Sequence, residues 1–172
     1  LLHVAAGVGN LFLFKNIYKK ANDKFPRDTE GWTFLHYPAQ NDHSNIFEYI
    51  LEKLDDKNPE DKDGCTPLLL AAERGHSKIF QYIIKFIKEV NPKFQQDRTP
   101  LHMAASFGQL EICKLIIENK SPKDNVGDTP FHEAAFHGHL NVCQYIMTHI
   151  KETNLQNLSG RTPLHYAAGE GH

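Results

Sequence analysis

A single signature returns along this chain at nearly constant spacing, and it leaves few folds open. Thr66-Pro67-Leu68, Thr99-Pro100-Leu101, Thr129-Pro130-Phe131 and Thr162-Pro163-Leu164 recur, preceded by the variant Thr33-Phe34-Leu35. The threonines are 33, 33, 30 and 33 residues apart. A period of this size marks a supersecondary unit that cannot bury its own apolar face and must stack on its neighbours. Histidine follows three residues after most of the threonines, as His36, His102, His132 and His165, with Leu69 in that place in the third unit. His3 lies 33 residues before His36, so a unit is already under way at the start. The units run approximately 1–27, 28–60, 61–93, 94–123, 124–156 and 157–172.

Inside each unit the order is the same. An alanine pair comes first (Ala5-Ala6, Ala71-Ala72, Ala104-Ala105, Ala134-Ala135, Ala167-Ala168), then a glycine three residues on (Gly9, Gly75, Gly108, Gly138, Gly171). An amphipathic stretch follows. Ile79, Ile83, Ile84 and Ile87, like Val142, Ile146, Met147 and Ile150, keep helical spacing rather than strand alternation. Polar runs such as Asp61-Lys62-Asp63-Gly64 read as tight turns. Thr before Pro is an N-cap followed by a first helical residue with no N–H to lose.

Together these features resemble the ankyrin repeat, and the resemblance covers the whole chain. It implies an all-α fold: a solenoid of stacked helix-turn-helix units joined by β-turn hairpin loops. About five to six repeats are expected, with incomplete ends. It also implies that His36, His102, His132 and His165 bond locally to the turn and tie neighbouring repeats together. Neither end has the polar face of a capping repeat, so the chain reads as a piece of a longer array.

Departures from the pattern carry their own expectations. Pro38 stands where the first alanine should be, one turn inside a helix, and Asp42 replaces the helix-ending glycine. The second unit is therefore expected to be the weakest. The fourth unit is three residues short between Ile117 and Thr129, and Asn119-Lys120-Ser121-Pro122 should end its second helix early. Leu54 and Ile87 stand where a glycine commonly closes the second helix, which predicts another turn of helix there.

Composition closes off several functions. Lys plus Arg number 19 and Asp plus Glu 21, a net charge of −2 that gives no support for nucleic-acid binding. Apolar runs are far short of the roughly 20 residues that span a bilayer. Three cysteines, Cys65, Cys113 and Cys143, suit a reducing compartment, so cytoplasmic or nuclear residence is expected. Cys113 and Cys143 take matching places in successive second helices and read as small core residues. Nine of the 11 histidines fall at two repeat positions, leaving His137 and His149. His132-Glu133-Ala134-Ala135-Phe136-His137 misses the zinc-protease spacing by one residue, because Phe136 occupies the place of the second ligand. Phosphate-loop, dinucleotide and nucleophile-elbow motifs do not occur. No cofactor, metal or catalytic group is expected, and Lys15, Lys19, Lys20 and Lys24 read as a solvated basic face.

The resemblance implies that partners dock on a concave face lined by turn tips and first helices. The residues expected there include Trp32, Tyr37, Leu70, Arg74, Arg98, Met103, Phe107, Phe136, His137 and Tyr166. Seven basic and seven acidic residues balance across the face, while its aromatic and Met content suits a protein interface. The function expected is a monomeric, non-enzymatic scaffold that binds a partner protein. The rivals are the targeting region of a larger enzyme complex and a mechanical spacer. The resemblance also marks Asn58, Asn91 and Asn154, each eight residues before a Thr, as candidates for β-hydroxylation, Asn91 foremost.

Overall fold

The computed structural model describes residues 1–23, 25–117, 121–152 and 155–172. Lys24 of the basic cluster, the Asn119-Lys120 helix stop and Asn154 lie outside them. Among the described residues there are eleven α-helices and no strand: α1 (Leu2–Val8), α2 (Leu11–Lys20), α3 (His36–Asn41), α4 (Ser44–Leu51), α5 (Pro67–Arg74), α6 (Ser77–Ile84), α7 (Pro100–Ser106), α8 (Leu110–Ile116), α9 (Pro130–Phe136), α10 (Leu140–His149) and α11 (Pro163–Glu170). The chain forms two compact units, one of residues 1–71 and 76–88, the other of 72–75 and 89–172.

In the first unit α1 packs on α2 and α3, and α4 on α2, α3 and α6. Its core is aromatic. Phe14, Phe34, Phe47 and Phe80 are fully buried beside Ile46, Ile50, Leu68, Ile79 and Ile83. The Phe14 and Phe34 rings meet edge to face at 5.7 Å, with Tyr18 5.9 Å from Phe14. In the second unit α7 packs on α8 and α9, and α9 on α10 and α11. That core is aliphatic, built on Leu101, Ile112, Val142 and Ile146 against buried alanines 104, 105, 134 and 135. Each such aliphatic side chain contributes about 1.5–3 kcal/mol by leaving water.

The threonine caps form as expected. At Thr99, Thr129 and Thr162 the hydroxyl accepts an N–H of the first turn, and the histidine three residues on accepts the N–H of the threonine. The helix ends close on a left-handed residue. Gly108 has φ 70°, and an added Cβ would lie 2.7 Å from Nδ1 of His139, so both backbone and space demand glycine there. Asp42 takes the same left-handed turn at φ 57°.

Three expectations need correction. Pro38 does not sit one turn inside its helix. Residues 34 and 35 form a turn, α3 starts only at His36, and Pro38 is its third residue, where a backbone N–H would have no helical partner anyway. Phe34 is the reason, since its ring is drawn into the aromatic core instead of starting a helix as proline does elsewhere. Nor do α4 and α6 run on; they stop at Leu51 and Ile84. The ammonium of Lys57 donates to the carbonyls of Leu51 and Leu54, and Phe86 N–H bonds back to Ile83 O, which satisfies the last turn without more helix. Finally, Cys113 is buried as a core residue, its thiol pushed up to about 12 by burial, but Cys143 is only half-buried. The fourth unit's α8 is short, as expected, with 7 residues against 10 in α10.

Candidate functional site

The histidines position everything else on the tips and first helices. His36 Nδ1 accepts the Thr33 N–H at 3.1 Å, and its Nε2 reaches Cys65 O, one repeat on, at 3.2 Å. His102 does the same between Thr99 N–H (3.2 Å) and Asp128 O (3.1 Å), and His132 between Thr129 N–H (3.1 Å) and Arg161 O (3.1 Å). A ring whose Nδ1 accepts must carry its proton on Nε2, so these side chains serve as neutral bridges. Burial pushes His36 below the usual imidazole range and His102 down to about 4, although the carbonyl each one meets works the other way.

A second histidine series, whose role sequence reasoning did not find, ties the repeats at their other end. His43 bonds Gly7 O at 2.9 Å, His76 bonds Gln40 O at 3.0 Å, and His139 bonds Ser106 O at 2.9 Å. Gln109 replaces histidine and donates to Glu73 O at 2.9 Å. The signal was present, for these residues follow each helix-ending glycine or Asp42. What was missing was the knowledge that the ring lies over the preceding repeat's glycine. Asn58 and Asn91 also have structural work. Their Oδ1 atoms accept the N–H of Leu68 (2.9 Å) and Leu101 (3.0 Å), fixing the chain ahead of α5 and α7.

The expected binding residues divide by burial. Leu70 is only 5% exposed and takes no part in a surface. Trp32 is half-buried, its indole N–H donating to Asp61 at 2.8 Å and its rings stacked on His36 at 5.5 Å. Tyr37 donates to Asp28 at 2.5 Å, and Tyr166 to Asp128 at 2.8 Å. Burial and these carboxylates push both phenols up to about 12. Met103 is half-buried, and Arg74 is exposed beside Glu73 at 3.3 Å. Phe107 is 49% and Phe136 37% exposed, large rings in matching places of successive repeats.

Within the second unit several of these residues converge. Asp128, His132, Glu133, Phe136, His137 and Tyr166 line a cleft of about 200 Å³. The Phe136 and Tyr166 rings meet at 5.7 Å and 73°, and Phe136 lies 4.9 Å from His137. Arg98 Nη2 lies 2.9 Å from Glu133 Oε2, an ion pair whose angle leaves that nitrogen without an aligned hydrogen bond.

The family model for ankyrin repeats, three copies long, matches residues 2–93, 53–126, 81–157 and 119–172. The chain is an ankyrin-repeat protein. Comparison with curated proteins gives no match. Ankyrin repeats are protein-interaction modules and typically non-catalytic. Nothing among the described residues of this ankyrin-repeat chain groups three or more metal-ligating side chains, and none of their helices is long and apolar enough to cross a membrane. His132 of the near-miss zinc motif is spent on its two backbone bonds, while His137 is exposed on the cleft wall.

Proposed function

We propose that the chain is a non-enzymatic scaffold that binds a partner protein on its turn tips and first helices, with the second unit carrying the principal contact. The observation that supports this is the pair Phe107 and Phe136. Two large rings stay exposed at equivalent places on a surface otherwise held by hydrogen-bonded tyrosines and paired charges. Exposed aromatics of this kind supply much of the binding energy at protein interfaces. Trp32 and Leu70, being anchored or buried, contribute shape rather than contact.

The test is capture of partners on the immobilised chain, identification of the bound protein, and affinity measured against variants. Phe107→Ala is expected to cost more than about 2 kcal/mol of binding. Its effect on stability should stay within about 0.5 kcal/mol, because the ring is half outside the fold. Lys114→Ala and Gln144→Ala, on exposed faces of α8 and α10, should leave affinity unaltered. Equal losses on those faces would move the binding surface to the second helices.

A further inference from the structure

The second unit's cleft has walls of an unusual chemistry: two aromatic rings, two carboxylates and two imidazoles. Its volume of about 200 Å³ is below the roughly 300–1,000 Å³ of small-molecule sites and suits one side chain. Asp128 uses Oδ1 on the Asn157 amide and Oδ2 on the Tyr166 hydroxyl, both at 2.8 Å. A carboxylate accepts at about four lone-pair sites, so Asp128 keeps acceptor capacity toward the cleft. Glu133 meets Arg98 at 2.9 Å and His137 at 4.0 Å through Oε2. The His132 ring is held neutral by the N–H it accepts. Two carboxylates against one guanidinium leave a net negative site beside two rings, and ring faces attract cations. A neutral apolar side chain would strand the carboxylates, and an anion would meet them directly.

We propose that this cleft takes the cationic side chain, lysine or arginine, of a partner protein segment, with Phe136 and Tyr166 as its aromatic walls and Asp128 and Glu133 as its counter-charge. The proposal rests on the scaffold reading and names the chemistry of the partner. Arg98 acts against it as the resident competitor for Glu133. That opposition makes Arg98 the most informative residue to change.

The full chain, labelled with nitrogen-15, is titrated with the Nα-acetyl amides of lysine and arginine, and with those of norleucine and glutamate. The expected result is saturable shifts at residues 132–137 and Tyr166 for the two cations, at least roughly threefold tighter than for norleucine and weakened by salt. Glu133→Gln and Phe136→Leu should each weaken the lysine amide roughly threefold. Arg98→Gln should tighten it, because Glu133 is released. If Glu133→Gln fails to fold by thermal melting, Arg98→Gln still decides the sign. Equal response to norleucine, preference for the glutamate amide, shifts elsewhere only, or weaker cation binding in Arg98→Gln would each overturn the proposal. The scaffold reading is separate, since it stands or falls on partner affinity of Phe107→Ala.

Discussion

The second and fourth repeats depart from the pattern at opposite ends of the same motif. In the second, the tip is regular, with Gly31 at φ 85°, but the helix is not. Phe34 replaces the starting proline, α3 has only 6 residues, and Asp42 closes it in the left-handed region. In the fourth, the helix is regular: Thr99-Pro100 opens α7, and Gly108 follows its end. Here the tip is irregular, because Asp97 takes the place of glycine at φ 60° with Gln96 beside it at φ 59°. Yet His36 and His102 make the same pair of bonds, within 0.1 Å of each other: 3.1 and 3.2 Å in one case, 3.2 and 3.1 Å in the other. The side-chain bridge thus survives damage to either neighbour. It is the imidazole, more than helix length or turn type, that sets how one repeat follows the next.

The largest test of that equivalence is acid. The folded His102 titrates at about 4, below its ordinary 6.5, because burial disfavours the charged ring; His36 is shifted in the same direction for the same cause. A depressed folded value means that the unfolded chain takes up the proton first. Stability from these rings is therefore complete above about pH 6.5 and is lost as pH falls toward about 4. For His102 alone the loss approaches ~3 kcal/mol, a large part of a typical domain's stability. Urea midpoints between pH 7.5 and 4 should fall accordingly. Imidazole nitrogen-15 shifts should show both rings with the proton on Nε2. A His36 that titrates near its ordinary value would break the comparison.

Smaller, and confined to the second repeat, is Pro38. At the third position of α3 it costs no helical hydrogen bond, so the roughly 3 kcal/mol of an interior proline does not apply. What remains is the restriction proline places on Tyr37, which is pushed away from the helical region yet is helical here. Pro38→Ala should raise stability by about 1 kcal/mol and increase hydrogen-exchange protection of the α4 amides 46–51. An unchanged urea midpoint would mean that Phe34 alone determines the late start, and the second repeat would no longer count as the weak one.

These two repeats also show what could be read in advance. The period, the Thr–His bond and the glycine turns follow from local chemistry at short range in sequence, so the repeat fold was legible throughout. Asp42 was legible too, because it interrupts a column of glycines. Asp97 stands in an equally regular column, two residues before each threonine, with Gly31, Gly64, Gly127 and Gly160 as its fellows, and it was readable by the same logic though not singled out. The helix start at His36 was not legible, since it depends on Phe34 meeting Phe14 from another helix. The binding residues were legible only in part. Sequence placed Trp32 and Phe107 alike on the tips, whereas partners 29 residues away decide that Trp32 is tied to Asp61 and Phe107 is free to be touched.

The finest test is Asp97→Gly set beside Asp42→Gly. Each aspartate holds a left-handed backbone that costs an L-residue about 1–2 kcal/mol relative to the right-handed region, and glycine removes that cost. Glycine also gives the unfolded chain more freedom, which takes back roughly 0.5–1 kcal/mol. Asp42 makes only a distant, solvent-exposed approach to His76 at 3.9 Å, so its replacement should stabilise by up to about 1 kcal/mol. Asp97 differs, because its carboxylate meets Lys93 at 2.9 Å. That pair is exposed on both sides and contributes at most about 1 kcal/mol, enough to cancel most of the backbone gain. Asp97→Gly should therefore change stability by no more than a few tenths of a kcal/mol, and Lys93→Ala in the same background should have no further effect. If instead Asp97→Gly stabilises as much as Asp42→Gly, the ion pair contributes nothing and the two turns are equivalent in strain. A clear loss would show that Asp97 holds the tip by its side chain, and that the fourth repeat's irregular turn is a replacement for glycine rather than a defect.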